Sequence, residues 1–88
     1  MNSTQRKTLE AIFKHPSPAN IIWNEVESLL EALDANITQE SSSRVRVELN
    51  QVRAVFHEPH PQKEIDKGAF EAVRDFLESA GIDFKEDD

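Results

Sequence analysis

Between Val45 and Phe56 the apolar side chains fall mostly at every second position, whereas on both sides of that stretch they recur every third or fourth. The change of period predicts the elements. A helix buries a stripe spaced i, i+3, i+4, while a half-buried strand turns alternate side chains to opposite faces. Leu9, Ile12 and Phe13 form the first helical stripe, within Asn2 to His15, with Ser3 as the expected N-cap. Pro16 and Pro18 end it, because neither can donate to the helical ladder, and His15 is expected to cap that end rather than take part in chemistry. After a short extended Ile21 to Trp23, Asn24 and Glu27 stand at capping-box spacing ahead of a second buried stripe, Val26, Leu29, Leu30 and Leu33.

Ala35 to Glu40 reads as a first strand with Ile37 inward, and Ser41 to Ser43 as the loop behind it. Val45, Val47 and Leu49 alternate strictly, and Val52, Ala54 and Phe56 continue the same face beyond Asn50-Gln51. A two-residue connection predicts a tight hairpin, with Asn50 suited to a left-handed backbone. That turn sets Leu49 opposite Val52, Glu48 opposite Arg53, Arg46 opposite Val55 and Arg44 opposite His57. The outward face is then Arg44, Arg46, Glu48, Arg53, Val55 and His57. A slip of one residue would bury the arginines and expose the valines, so the register is strongly held.

His57 to Glu64 reads as an irregular loop, since Pro59 and Pro61 cannot both sit in a ladder. Asp66 is the expected cap of a last helix whose stripe is Phe70, Val73, Leu77 and Ala80, with Phe76 beside it and Gly81 as the left-handed stop. Helix, helix, three strands, helix implies an α+β fold with the helices on one face of a three-stranded antiparallel sheet. Trp23, Phe13, Phe56, Phe70 and Phe76 are expected in its core.

At 88 residues and 38% hydrophobic content the chain has material for one domain, residues 1–88. The absence of cysteine excludes a disulfide framework and thiol chemistry. No apolar signal core opens the chain and no run of apolar residues is long enough to span a bilayer, so a cytoplasmic protein without membrane association is expected. The net charge of -7 is unevenly spread. Residues 16–43 carry Glu25, Glu27, Glu31, Asp34 and Glu40 without a lysine or arginine. The last eighteen residues hold seven acids against Arg74 and Lys85. Residues 44–64 instead hold Arg44, Arg46, Arg53 and Lys63 against three glutamates. A locally cationic face on an otherwise acidic chain focuses a field there.

Two readings of that face are open: a solvated surface guarding the sheet against edge pairing, or a site for RNA phosphate, which the arginine fork suits. His57 and His60 have the spacing of a ligand pair but lack the third and fourth ligands zinc wants, so no metal and no cofactor are expected. Either imidazole beside arginines is a candidate general base, able to take the proton of a 2′-hydroxyl while an arginine holds charge on the phosphate. The plainer reading is that His57 ends a strand and His60 bonds a turn. No dinucleotide fingerprint, P-loop, nucleophile elbow or zincin motif is present.

Val26–Leu49, VESLLEALDANITQESSSRVRVEL, resembles the opening helix, first strand, loop and second strand of the HicA family, small toxins of type II toxin-antitoxin systems. His60–Ile82, HPQKEIDKGAFEAVRDFLESAGI, resembles that family's closing portion, in which a histidine precedes a charged run, a glycine and the last helix. The resemblance covers about residues 24–82, leaving residues 1–20 as a helical extension. It implies a double-stranded-RNA-binding-domain-like α-β-β-β-α core, RNA cleavage that blocks translation, and neutralisation by a HicB-type antitoxin. The family's loop before the second strand typically reads Gly-Ser-His, with that histidine catalytic. Here the positions are Ser42, Ser43 and Arg44. Arginine cannot serve as a general base at neutral pH, so that role does not transfer to Arg44.

The expected function is therefore that of a HicA-like toxin component which binds RNA over Ser43, Arg44, Arg46, Arg53 and Lys63 and cleaves it with His57 or His60. The alternative is a non-enzymatic adaptor binding RNA or protein through the same surface.

Overall fold

The computed structural model describes residues 1–14, 20–57 and 63–84. In chain order the elements are α1 (Ser3–Phe13), α2 (Trp23–Ala32), β1 (Asn36–Ser41), β2 (Arg44–Leu49), β3 (Val52–His57) and α3 (Lys67–Ser79). The strands form one antiparallel sheet in the order β1-β2-β3, and the helices cover one of its faces, as the periodicity predicts.

Helix starts differ from expectation by a residue or two, for reasons of hydrogen-bond chemistry. Asn2, not Ser3, caps α1: its Oδ1 accepts from the Gln5 N–H at 2.8 Å, and Gln5 Oε1 accepts from the Asn2 N–H at 2.9 Å. Ser3 would have needed a reciprocal acceptor at Arg6, which has only donors. α2 starts at Trp23, before the expected cap Asn24. The Ile22 N–H donates to Glu25 Oε1 at 3.1 Å, and Glu27 is taken up instead by the Trp23 indole N–H at 3.0 Å. Backbone bonds from Trp23 to the Lys63 carbonyl and from Ile65 to the Ile21 carbonyl fix the extended approach. β1 runs one residue later than expected. A bulge between Gln39 and Ser41 lets Ser41 pair with Arg44, so Ser42 and Ser43 alone make the turn. Asp66 caps α3 by accepting from the Ala69 N–H at 2.8 Å, and Gly81 has the left-handed φ of 82° that ends it.

One continuous core lies between sheet and helices. Val45, Val47 and Leu49 enter it from β2, Phe56 from β3, and Trp23, Val26, Leu29 and Leu30 from α2. α3 contributes Phe70, Val73, Phe76 and Leu77, and α1 adds Leu9 and Ile12. Phe56 joins the two sides: its ring lies 6.1 Å from Trp23 and 5.7 Å, edge-on, from Phe76. Aromatic pairs in such geometry add about 0.5–1.5 kcal/mol beyond burial. Phe13, Leu33 and Ile37 are only half-buried at its margin.

Two polar ties brace this core. Arg74, on α3 and 9% exposed, donates from Nε to the Ile12 carbonyl at 2.6 Å and from a terminal nitrogen to the Lys14 carbonyl at 3.2 Å. The last carbonyls of a helix have no partner within it, so Arg74 serves as a C-terminal cap for α1 from another element. The second tie is at the hairpin tip. Asn50 and Gln51 have φ of 50° and 70°, the paired left-handed geometry of a tight antiparallel turn. Asn50 Nδ2 also donates to the Ala80 carbonyl at 2.8 Å, linking that tip to the end of α3.

Arg74→Met should lower the unfolding free energy by about 1–3 kcal/mol in urea denaturation, the cost of leaving buried carbonyls unbonded. An unchanged midpoint would show that the tie is idle. Gln51→Gly should raise stability by about 0.5–1 kcal/mol by relieving a left-handed glutamine. Asn50→Gly should give no such gain, because it forfeits the bond to Ala80.

Candidate nucleic-acid interface

The outward face of the sheet carries the charged side chains because the inward positions of β2 are taken by Val45, Val47 and Leu49. The β2–β3 register pairs Arg44 with His57, Arg46 with Val55 and Glu48 with Arg53, the pairing predicted from the turn. β1 completes three cross-sheet rows: Ser41–Arg44–His57, Thr38–Arg46–Val55 and Asn36–Glu48–Arg53. Directly opposed residues hold their Cβ atoms about 5 Å apart, so the Arg44 guanidinium and the His57 imidazole can meet one small group.

The arginines are not equivalent. Arg53 lies 3.2 Å from Glu48, and Arg46 lies 3.6 Å from Glu40, each with both side chains partly in water. Such exposed pairs stabilise the fold by little, about 0–1 kcal/mol, yet they cancel charge that phosphate would otherwise feel. Arg44 is exposed and makes no ion pair among the described residues. Among the described residues, the row that ends in His57 therefore holds the one sheet arginine without an ion pair.

The structure brings four of the expected residues into one series. Ser43, half-buried in the β1–β2 turn, precedes Arg44 in the chain; Arg44 faces His57; and His57 and Lys63 line one cavity of about 710 Å³. Lys63 is exposed, and its backbone is pinned by the bond from Trp23. Arg53 stands apart. Four residues before His57 on β3, it lies about 13 Å away along the strand. His60, the other expected catalytic residue, lies outside the described residues, as does His15. Among the described residues no group of three or more His, Cys, Asp or Glu side chains could hold a metal ion. No described helix is long and apolar enough to cross a membrane.

Sequence reasoning missed the cavity itself, which opens between the β3 edge, residues 63–66 and the start of α3. Its wall on α3 is made of Gly68, Ala69 and Ala72. That run of small residues was the available signal. Val55 is 50% exposed on the wet face beside it.

The order α2-β1-β2-β3-α3, with both helices on one sheet face, defines a small α+β domain consistent with the double-stranded-RNA-binding-domain-like fold. The chain belongs to the HicA toxin family of bacterial toxin-antitoxin systems, whose family model matches residues 23–82, from the first residue of α2 to just beyond α3. Comparisons with curated proteins and with solved structures give no match. Membership makes the protein the toxin of such a system and implies an antitoxin partner. α1 lies outside the matched residues.

Because Arg44 and His57 are exposed and their side chains make no hydrogen bond or ion pair among the described residues, Arg44→Ala and His57→Ala should each unfold within about 0.5 kcal/mol of the parent protein. Val47→Ala, on the same hairpin but in the core, should cost about 2 kcal/mol by the same urea titration. A comparable loss in the first two would make them structural residues.

Proposed function

We propose that the protein acts as a ribonuclease toxin, binding RNA phosphate over the face of β2 and β3 and cleaving the strand beside it. The observation that carries this reading is the pairing of Arg44 with His57 at the exposed end of the hairpin. Where the family typically has a catalytic histidine this chain has Arg44, and the imidazole sits on the neighbouring strand instead. The two roles then divide. His57, or His60 from the segment that follows, takes the proton from a 2′-hydroxyl. The 2′-oxygen bonds to phosphorus, and the bond from phosphorus to the 5′-oxygen breaks. The products are a 2′,3′-cyclic phosphate and a 5′-hydroxyl, the latter protonated by solvent. Arg44 holds the charge that accumulates on the non-bridging oxygens, through the bidentate geometry guanidinium offers phosphate. Ser43 supplies a hydroxyl donor next to it, Lys63 a second uncompensated cation, and Arg46 and Arg53 weaker outlying contacts. A HicB-type antitoxin would neutralise the toxin by covering this face.

The cancelled charges of Arg46 and Arg53 favour the alternative, an adaptor that binds RNA or protein without cutting. Salt distinguishes the two kinds of partner. For single-stranded RNA, log affinity should fall with log salt by about 0.7 per phosphate neutralised. Arg44→Ala should weaken binding more than Arg53→Ala, whose guanidinium Glu48 already occupies. Induction of the gene should arrest growth, with His57→Ala or His60→Ala relieving the arrest in a protein that still folds. Arg44→His should keep or raise cleavage. Unimpeded growth with the intact gene would falsify the toxin reading, and negligible RNA binding at low salt would leave the protein-binding adaptor.

A further inference from the structure

The cavity beside His57 has a composition that the phosphate face alone does not account for. Its apolar lining is made by Phe56, Ile65 and Trp23, all three buried. Its far wall, on α3, carries no side chain larger than a methyl group at Gly68, Ala69 and Ala72, which leaves room for a flat body. Its exposed polar lining is mixed in charge, with His57, Lys63, Glu64 and Asp66, and His57 is the cross-strand neighbour of Arg44. Val55, the one large apolar side chain besides Met1 that stands exposed among the described residues, lies on the same rim. A recess with apolar walls and a polar, mixed-charge lining, one strand away from the exposed Arg44, matches a ligand with a planar ring whose N–H groups can donate to a carboxylate and a phosphate that Arg44 and Lys63 can meet.

Resting on the RNA reading of the same face, we propose that this cavity receives one unpaired nucleobase of single-stranded RNA while the adjoining phosphate lies between Arg44, His57 and Lys63. A base within a duplex is stacked on both faces and paired along its edge, so it cannot enter without being extruded. A single strand presents its bases freely, and burying one against aromatic and apolar side chains contributes about 1–3 kcal/mol. The substrate class is therefore unpaired RNA, in spite of a fold consistent with a module named for double strands. The base docks on the inner, helix-side edge of β3 and not on the outer sheet surface, and the cations hold the strand at the rim.

The test uses the full chain with a 2′-O-methyl oligoribonucleotide, which cannot be cleaved through its 2′-oxygen, as a single strand, as a duplex, and as a single strand with abasic positions. The single strand should bind about tenfold or more tightly than either of the others. Ala72→Trp, at an exposed helix position, fills the recess and should bring the affinity for the single strand down to that of the abasic strand. Inorganic polyphosphate should bind that variant and the parent equally, since it reads only the cations. Equal binding of intact and abasic strands by the parent protein overturns the cavity assignment and leaves the phosphate face standing. No binding of any RNA at low salt overturns both. A protein ligand that Ala72→Trp displaces, with RNA ignored, would give the cavity to a protein partner instead.

Discussion

The rest of the molecule depends on a single register, that of β2 against β3. Val45, Val47 and Leu49 are almost wholly removed from water, and each such side chain contributes about 1.5–3 kcal/mol by being so. Because strand side chains alternate with a period of two, this burial also decides where every intervening residue goes. Arg44, Arg46 and Glu48 face solvent as a consequence of what lies between them. The two-residue turn then transfers that choice to β3, setting His57 across from Arg44. The candidate chemistry is thus positioned by hydrophobic burial rather than by any polar contact of its own.

Electrostatics works on top of this scaffold by subtraction. The chain is acidic overall, and two of the three sheet arginines are matched by nearby glutamates. Among the described residues this leaves Arg44 without an ion pair, next to a cavity that Lys63 shares with Glu64 and Asp66. On the proposed RNA reading, affinity would lean on contacts other than charge, because few phosphates could be neutralised at once.

The parts legible in the sequence were those governed by strong period contrast. The β2–β3 register and the outward face followed from alternating valines and a two-residue turn, and the α3 stripe from Phe70, Val73 and Leu77. Asp66 and Gly81 marked the ends of α3, the first by a carboxylate that can accept from the opening N–H groups and the second by a backbone free to take a positive φ. The starts of α1 and α2 were less legible, since several polar residues could cap and the choice was made by partners: Gln5 for Asn2, and the Trp23 indole drawing Glu27 away from Asn24. Arg74 was hidden in the charge tally, where an arginine on an acidic helix reads as surface. The cavity was hidden for a different reason, being enclosed by β3, residues 63–66 and α3, which only the fold brings together.

Arg74 also bears on where this protein can be cut. Its guanidinium sits nearly dry, and two of its hydrogen bonds end on carbonyls at the close of α1, ahead of the stretch that the family shares. Deleting the opening helix would remove those two acceptors from a sheltered cation and uncover the side of the core that Leu9 and Ile12 fill. The shared stretch has come to lean on its prefix, so a fragment trimmed to the family's limits would be a poorer guide to the toxin than the longer chain.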